Sequence, residues 1–215
     1  MTLQSEITSP LKRAPDRDRR SEILVAAQKA FVRHGFHAAT MIHVADEAGM
    51  SAGNLYRYFP SKEAIVEGLC LHDQEERASD FAALTRSLSI FDAISFGLRE
   101  RLLARSSLKA RMILEIWAEG GRNPRIAEIG RAMDEEVRLG LNQVFAAAQA
   151  RSEASSEMDP SFAADVFRTL VGGLFKRMAH EANFDAAKEA ALALGVVRAL
   201  FEGKIRPEPI GGDRV

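Results

Sequence analysis

Gly49-Met50-Ser51-Ala52-Gly53 has the G-x-S-x-G spacing of a nucleophile elbow, and Asp165 and His180 follow in the chain order of a serine triad. Such an elbow needs a buried strand running into the serine, because the strained strand-to-helix turn is what exposes the hydroxyl. Residues 40–48 instead place Met41, Val44, Ala45 and Ala48 at helical spacing, and no segment sustains the period-two alternation of a strand. Ser51 is therefore not read as a nucleophile, and no enzyme activity is expected. Cys70 is the only cysteine, so an intrachain disulfide and a multi-cysteine metal site cannot form. Cys70 itself reads as a helix-packing residue. His34 and His37 are spaced like two weak metal ligands but lack a third, and read as helix-end and loop residues. Neither metal nor cofactor is expected.

A different chemistry suits the stretch from Thr40 to Phe59. Thr40 and Ser51 each stand just ahead of a short helical pattern, where a hydroxyl and free backbone N–H groups can meet phosphate. Gly49 supplies a tight turn between the two patterns, and Val44, Ala45 and Leu55 are placed to bury between them. This is the pattern of a helix-turn-helix, in which one helix holds a second at a fixed angle in the major groove.

The elements that position this pair are helical throughout. Ile23, Leu24, Ala27, Ala30 and Phe31 share one face of a helix over about 17–35, ended by His34-Gly35. Short helices follow from Thr40 to about 48 and over 52–58, with Phe59-Pro60 as a stop. A fourth helix starts near Ser61-Lys62 and runs into the 70s or early 80s. Longer helices are placed at about 88–104, 107–119, 124–151, 160–181 and 185–203, with Asn123-Pro124, Asp159-Pro160 and Asp185 as starts. Ile126, Ile129, Met133, Val137, Leu141, Val144 and Ala148 hold one face of the helix after Pro124.

The fold class is all-α: an N-terminal three-helix helix-turn-helix domain plus a larger C-terminal helical domain. The boundaries read as a disordered basic tail at 1–15, the helix-turn-helix at 16–63, the larger domain at 64–206 and a flexible end at 207–215. The 215 residues are 47% hydrophobic and 27% charged, an ordinary globular composition. No apolar run reaches the ~20 residues of a membrane span, and the polar start carries no secretory signal. A cytoplasmic protein without a membrane partner is the expectation. A net charge of −1 neither favours nor excludes nucleic acid.

Thr40 to Glu63 reads T-M-x-x-V-A-x-x-A-G-M-S-x-G-x-L-Y-x-Y-F-x-S-K-E. This stretch resembles the DNA-binding domain of the TetR family of repressors, and the likeness extends over some 45 residues once the first helix is included. The segment AEGGRNPRIAEI resembles one common in the regulatory domains of that family. The resemblance implies that Thr40, Tyr56 and Lys62 hold the phosphate backbone. It implies that Ser51, Ala52, Gly53, Asn54 and Arg57 form the exposed face of the recognition helix, with Tyr58 near sugar-phosphate. Gly53 lets that helix come close to DNA, and Arg57 is the residue for direct readout, since guanidinium pairs bidentately with guanine. Ala52 and Ile42 stand where many relatives carry a basic residue, which suits thymine methyl contacts. Arg17, Arg19 and Arg20 read equally as an anchor to flanking DNA or as a solvated cluster.

The last two helices carry broad apolar surfaces, with Phe162, Val166, Leu170 and Leu174 on one and Leu194, Val197 and Phe201 on the other. The resemblance implies a four-helix bundle between two subunits, hence a homodimer on palindromic double-stranded operator DNA. It also implies a small-molecule effector bound among the helices from about 64 to 180. Candidate liners are His72, Phe81, Phe96, Leu103, Met112, Ile116, Trp117, Phe145 and Phe167; with both tyrosines in the DNA-binding segment, they favour a lipophilic or aromatic molecule. Repositioning of the fourth helix would carry the signal to the reading head. A helical adaptor that has lost DNA binding is the alternative.

Overall fold

A computed structural model describes residues 15–104 and 107–208, with side chains except at 15–18, 75–76, 101–104 and 107. The expectations for residues 1–14 and 209–215, for the Arg17 side chain and for the Leu103 side chain lie outside the described residues.

Among the described residues the chain is all-α: α1 (Pro15–His34), α2 (Met41–Glu47), α3 (Ala52–Tyr58), α4 (Lys62–Arg86), α5 (Ile90–Ala104), α6 (Ser107–Gly120), α7 (Pro124–Ala150), α8 (Pro160–His180) and α9 (Ala186–Phe201). The starts follow local chemistry. Thr40, Ser51, Ser61, Asn123, Asp159 and Asp185 each accept a backbone N–H from the first turn of the helix they precede, satisfying donors that would otherwise be orphaned. One boundary moves earlier: Pro15 belongs to α1, because its fixed φ and missing N–H suit a first helical turn. Another moves later, since α4 continues to Arg86 before Ser87 and Ser89 turn the chain into α5.

Two large apolar cores organise the molecule. The first is built on Ile23, Phe31, Phe36, Val44, Leu55, Phe59, Ile65 and Val66, and takes in Met112 and Ile116 of α6 with Ile126 and Ile129 of α7. The head and the body therefore share one core across residue 63. The second joins Ile90 and Ile94 of α5 to Leu141, Val144 and Phe145 of α7, Ala163 and Ala164 of α8, and Val197, Leu200 and Phe201 of α9. α4 lies along α7 and links the two ends; α1 packs on α2 and α6, and α8 on α6 and α7. No described helix is long and apolar enough to cross a membrane.

Candidate nucleic-acid interface

α2 packs on α1 and α3 packs on α2 through a small set of fully buried residues. Val44 and Leu55 are 0% exposed and Ala45 is 1%. Thr40 caps α2 by a reciprocal box: the His43 N–H donates to Thr40 Oγ1 at 3.2 Å, and the Thr40 N–H donates to His43 Nδ1 at 3.3 Å. A histidine here fills the place usually taken by Glu or Gln. His43 also stacks on His34, with ring centroids 4.1 Å apart. Gly49 makes the turn in the left-handed region, φ +61°, and the Ser51 hydroxyl then accepts the Asn54 N–H at 3.3 Å.

What α3 turns outward is specific. Ser51, Gly53, Tyr56 and Arg57 are exposed and Ala52 and Asn54 half-exposed. Among the described residues Arg57 makes no hydrogen bond or ion pair, which leaves a full guanidinium fork on the outer face. A Cβ added to Gly53 would meet nothing within 4 Å. The fold itself thus gives no reason for a residue that weakens a helix by about 1 kcal/mol relative to Ala. Ile42 of α2 is also exposed, at 61%.

Two of the sequence-derived contacts are placed differently from the rest. The Lys62 ammonium donates inward, to the Phe36 carbonyl at 2.9 Å and the His37 carbonyl at 3.1 Å, and lies over the Phe36 ring. The Tyr58 ring is half-buried against the head core. Arg19 and Arg20 also turn onto the protein, with the Ala48 and Tyr58 carbonyls as acceptors.

Polar contacts between head and body went unread in the sequence. Glu115 Oε2 of α6 accepts the Phe36 N–H at 2.9 Å. Glu119, 6% exposed, accepts from Arg122 and faces His37 Nδ1 at 3.6 Å. Asn123 has a double role: its Oδ1 caps α7, while its Nδ2 donates to Glu63 Oε1 at 2.9 Å. Hydrogen bonding from its own backbone N–H holds the Glu63 carboxyl below its ordinary value, with Ser61, Asn123 and Lys62 adding and burial opposing. The run Arg122-Asn123-Pro124 announces a helix cap, but nothing local names Glu63 as its partner.

The expected effector liners whose side chains are described lie in different settings. Met112 and Ile116 are buried in the first core. Phe145 is 0% exposed in the second, edge-on to Phe167 at 6.2 Å, with Phe81 packed alongside. His72, Phe96 and Trp117 are exposed. A groove of about 240 Å³ opens between α4 and α7. Its apolar floor includes Cys70, Leu71, Ile129 and Met133, with Arg77–Glu136 and Arg125–Glu67 ion pairs along it. Burial pushes the Cys70 thiol up to about 11. None of the eight expected liners with described side chains borders this groove.

The expected dimer face divides as well. Leu174, Val197 and Phe201 are buried in the chain's own cores, 3%, 0% and 5% exposed. Phe162, Val166, Leu170 and Leu194 are half-buried, while Gly173, Ala187, Ala191 and Gly195 are exposed, as is Leu192. Buried positions close each helix against its own subunit, and the small exposed residues leave a second face open.

Comparison with known proteins agrees with this arrangement. A family model described as bacterial regulatory proteins, tetR family, matches residues 23–69, and one described as BetI-type transcriptional repressor, C-terminal, matches residues 100–202. The chain is 29% identical over 184 residues to the HTH-type transcriptional regulator UidR of Escherichia coli K12, covering 86% of this chain and 91% of that one. It superposes on Salmonella enterica GusR with a TM-score of 0.73 at 28% identity, covering 92% of this chain and 99% of the other. A SmeT–triclosan complex shares the fold with a TM-score of 0.74 at 16% identity, over 90% of this chain and 99% of that one.

Proposed function

We propose that this chain, which belongs to the TetR family of bacterial regulatory proteins, is a repressor that binds a palindromic operator as a homodimer and releases it on binding a small lipophilic effector. The observation that carries the reading is the outer face of α3. It offers an unpaired Arg57 guanidinium beside a glycine whose missing side chain the fold does not use. A guanidinium in the major groove discriminates guanine through a bidentate pair, and an open Gly53 allows the helix backbone close to the duplex. Thr40, Ser51 and Tyr56 supply the phosphate contacts around it, Ala52 and Asn54 share the outward face of α3, and Tyr58 lies at its edge, while the Lys62 ammonium is held inward.

The homodimer uses the outward faces of α8 and α9, where Gly173, Ala191 and Gly195 allow close helix approach between Phe162, Val166, Leu170 and Leu194. A twofold axis there pairs two reading heads and dictates an inverted-repeat site. The effector engages the body where α4 and α7 part. At about 240 Å³ the groove is smaller than the ~300–1,000 Å³ common for ligand sites, so a drug-sized molecule must spread the two helices. That requirement gives the differential affinity for two conformations on which any release depends. Its apolar floor, like the triclosan bound by SmeT, favours a lipophilic molecule.

Selection of bound duplexes from a random pool, with sedimentation of the free protein, tests the reading. An inverted repeat with half-sites about one helical turn apart or slightly more, bound by a dimer, is the expected outcome. Arg57→Ala relaxes base preference, whereas Tyr56→Phe weakens all duplexes alike. A monomer, or binding without salt dependence, overturns the proposal.

A further inference from the structure

α3 is short and lightly held. Leu55 is the buried residue among its seven, and Pro60 beyond it has no N–H to return to its last turn. The C-terminal carbonyls of such a helix need donors from elsewhere. One comes from α1: Arg20 Nη1 donates to the Tyr58 carbonyl at 3.0 Å. The same guanidinium lies 4.4 Å from the centroid of the Phe59 ring, which is itself 1% exposed in the head core. Its neighbour Arg19 donates through Nη2 to the carbonyl of Ala48 at 3.3 Å, at the C-cap of α2, and is braced by Glu22 at 2.5 Å. Two adjacent residues of α1 thus hold the C-terminal ends of both helices of the pair. Each cation there also meets the negative end of a helix dipole.

We propose that Arg20, with Arg19 beside it, is a positioning residue for sequence reading: it fixes the tilt of α3 against α1 and neutralises no phosphate. The inference rests on the duplex-binding function proposed above. The held carbonyls are at the opposite ends of α2 and α3 from Thr40 and Ser51, which begin those helices. A planar cation lying on Phe59 while donating to Tyr58 is fixed in two directions at once, which a lysine cannot reproduce. A small rotation of α3 displaces Arg57 from a base edge while leaving general attraction to the duplex intact, so the loss falls on specificity.

The test uses the full-length chain, the duplex selected from a random pool and an unrelated duplex of the same length, titrated across a salt series. Arg20→Gln is expected to remain folded by circular dichroism and to lose about tenfold on the selected duplex, the scale of one charge-assisted hydrogen bond. Its affinity for the unrelated duplex and its salt slope stay those of the parent. Arg20→Lys recovers only part of the loss. A slope shallower by about 0.9, with equal loss on both duplexes, makes Arg20 a phosphate contact and overturns the inference; so does undiminished binding of the selected duplex. Should Arg20→Gln fail to fold, Phe59→Leu removes the ring beneath an unchanged charge and is expected to lower the ratio between the duplexes. An unchanged ratio overturns the inference. An unmodified chain that prefers no duplex refutes the duplex-binding function itself, before any variant is measured.

Discussion

Exchanging the two partners of the Glu63–Asn123 bond tests whether head and body are locked together where α4 and α7 begin. Asn123→Asp keeps the cap of α7, because aspartate accepts the same N–H groups now taken by Oδ1 at 3.0 Å from Arg125 and 3.4 Å from Ile126. It removes the donor that sits 2.9 Å from Glu63 Oε1 and sets a second carboxylate there. A hydrogen bond to a charged acceptor contributes about 1.5–3 kcal/mol when buried; partial exposure brings this toward the lower end. The expected loss is about 1–2 kcal/mol, with the adjacent charges adding to the lost bond. Glu63→Gln alone keeps an acceptor for Asn123 and loses about 1 kcal/mol or less. The double variant restores a pair with the roles reversed, the amide introduced on α4 donating to the carboxylate introduced at the cap of α7. It should return to within about 0.5 kcal/mol of the parent. Urea unfolding at pH 7 followed by circular dichroism measures all four proteins. If the double variant loses the sum of the two single losses, the bond carries no coupling energy and the lock is refuted.

Three further outcomes follow from the same geometry. Gly68→Ala brings a Cβ to 2.8 Å from Phe59 Cε1 and 3.2 Å from Leu24 Cδ2; overpacking of about 1–3 kcal/mol exceeds the roughly 1 kcal/mol gained in helix propensity. Calorimetry should show the melting temperature lowered by about 2–4 °C, and an increase would show that the head core yields freely. The Glu63 carboxyl, held below its ordinary value, stabilises the fold fully above its unfolded range and loses that contribution as pH falls through the lowered native value. The stability difference between the parent and Glu63→Gln should therefore shrink on acidification below about pH 4, and a constant difference down to acid unfolding would refute it. Cys70, with its thiol pushed up to about 11, should resist alkylation at pH 8 for hours in the folded protein and react at once in urea; prompt reaction in the folded state contradicts that burial.

Local chemistry made the helices legible and left their partners unwritten. Asn123-Pro124, Asp159-Pro160 and Asp185 mark starts because a cap acts within three residues of itself, and each accepts the N–H groups expected of it. The reading head was equally plain: Val44, Ala45 and Leu55 are small or apolar at spacings that only a packed helix pair uses, and all three are buried. Periodicity reveals that a residue is covered, not by what. Phe145, Val197 and Phe201 carry the same apolar signal whether they line a cavity, meet a second subunit or close a core, and here they share one core. Met133 belongs to the same stripe of α7 as the buried Ile129 and Leu141, yet borders an open groove, because α4 lies along α7 without covering it there. Charge is less legible still. A cluster at Arg19 and Arg20 reads equally as an anchor for DNA or as a solvated group, and nothing local points to the carbonyls of Ala48 and Tyr58, which lie 29 and 38 residues away.

The shared core changes how a signal can pass between the two ends. The sequence suggests α4 as the connection, since it leaves the head and runs the length of the body. In the folded chain α6 and α7 also touch the head directly: Glu115 holds the Phe36 N–H just past Gly35, a glycine at φ +73°. Asn123 holds Glu63, and Arg125 pairs with Glu67 at 3.1 Å. The Gly35 backbone lies in a region that side chains rarely adopt, so the turn out of α1 calls for glycine there. Its next N–H is anchored to α6, while the Phe36 and His37 carbonyls are anchored to Lys62 at the start of α4. A displacement of α4 along α7 would therefore pull on the same loop that α6 holds in place. On the release proposed above, the angle of α2 and α3 would follow the difference between those two movements, because a rigid shift of α4 and α6 together would carry the head along unchanged.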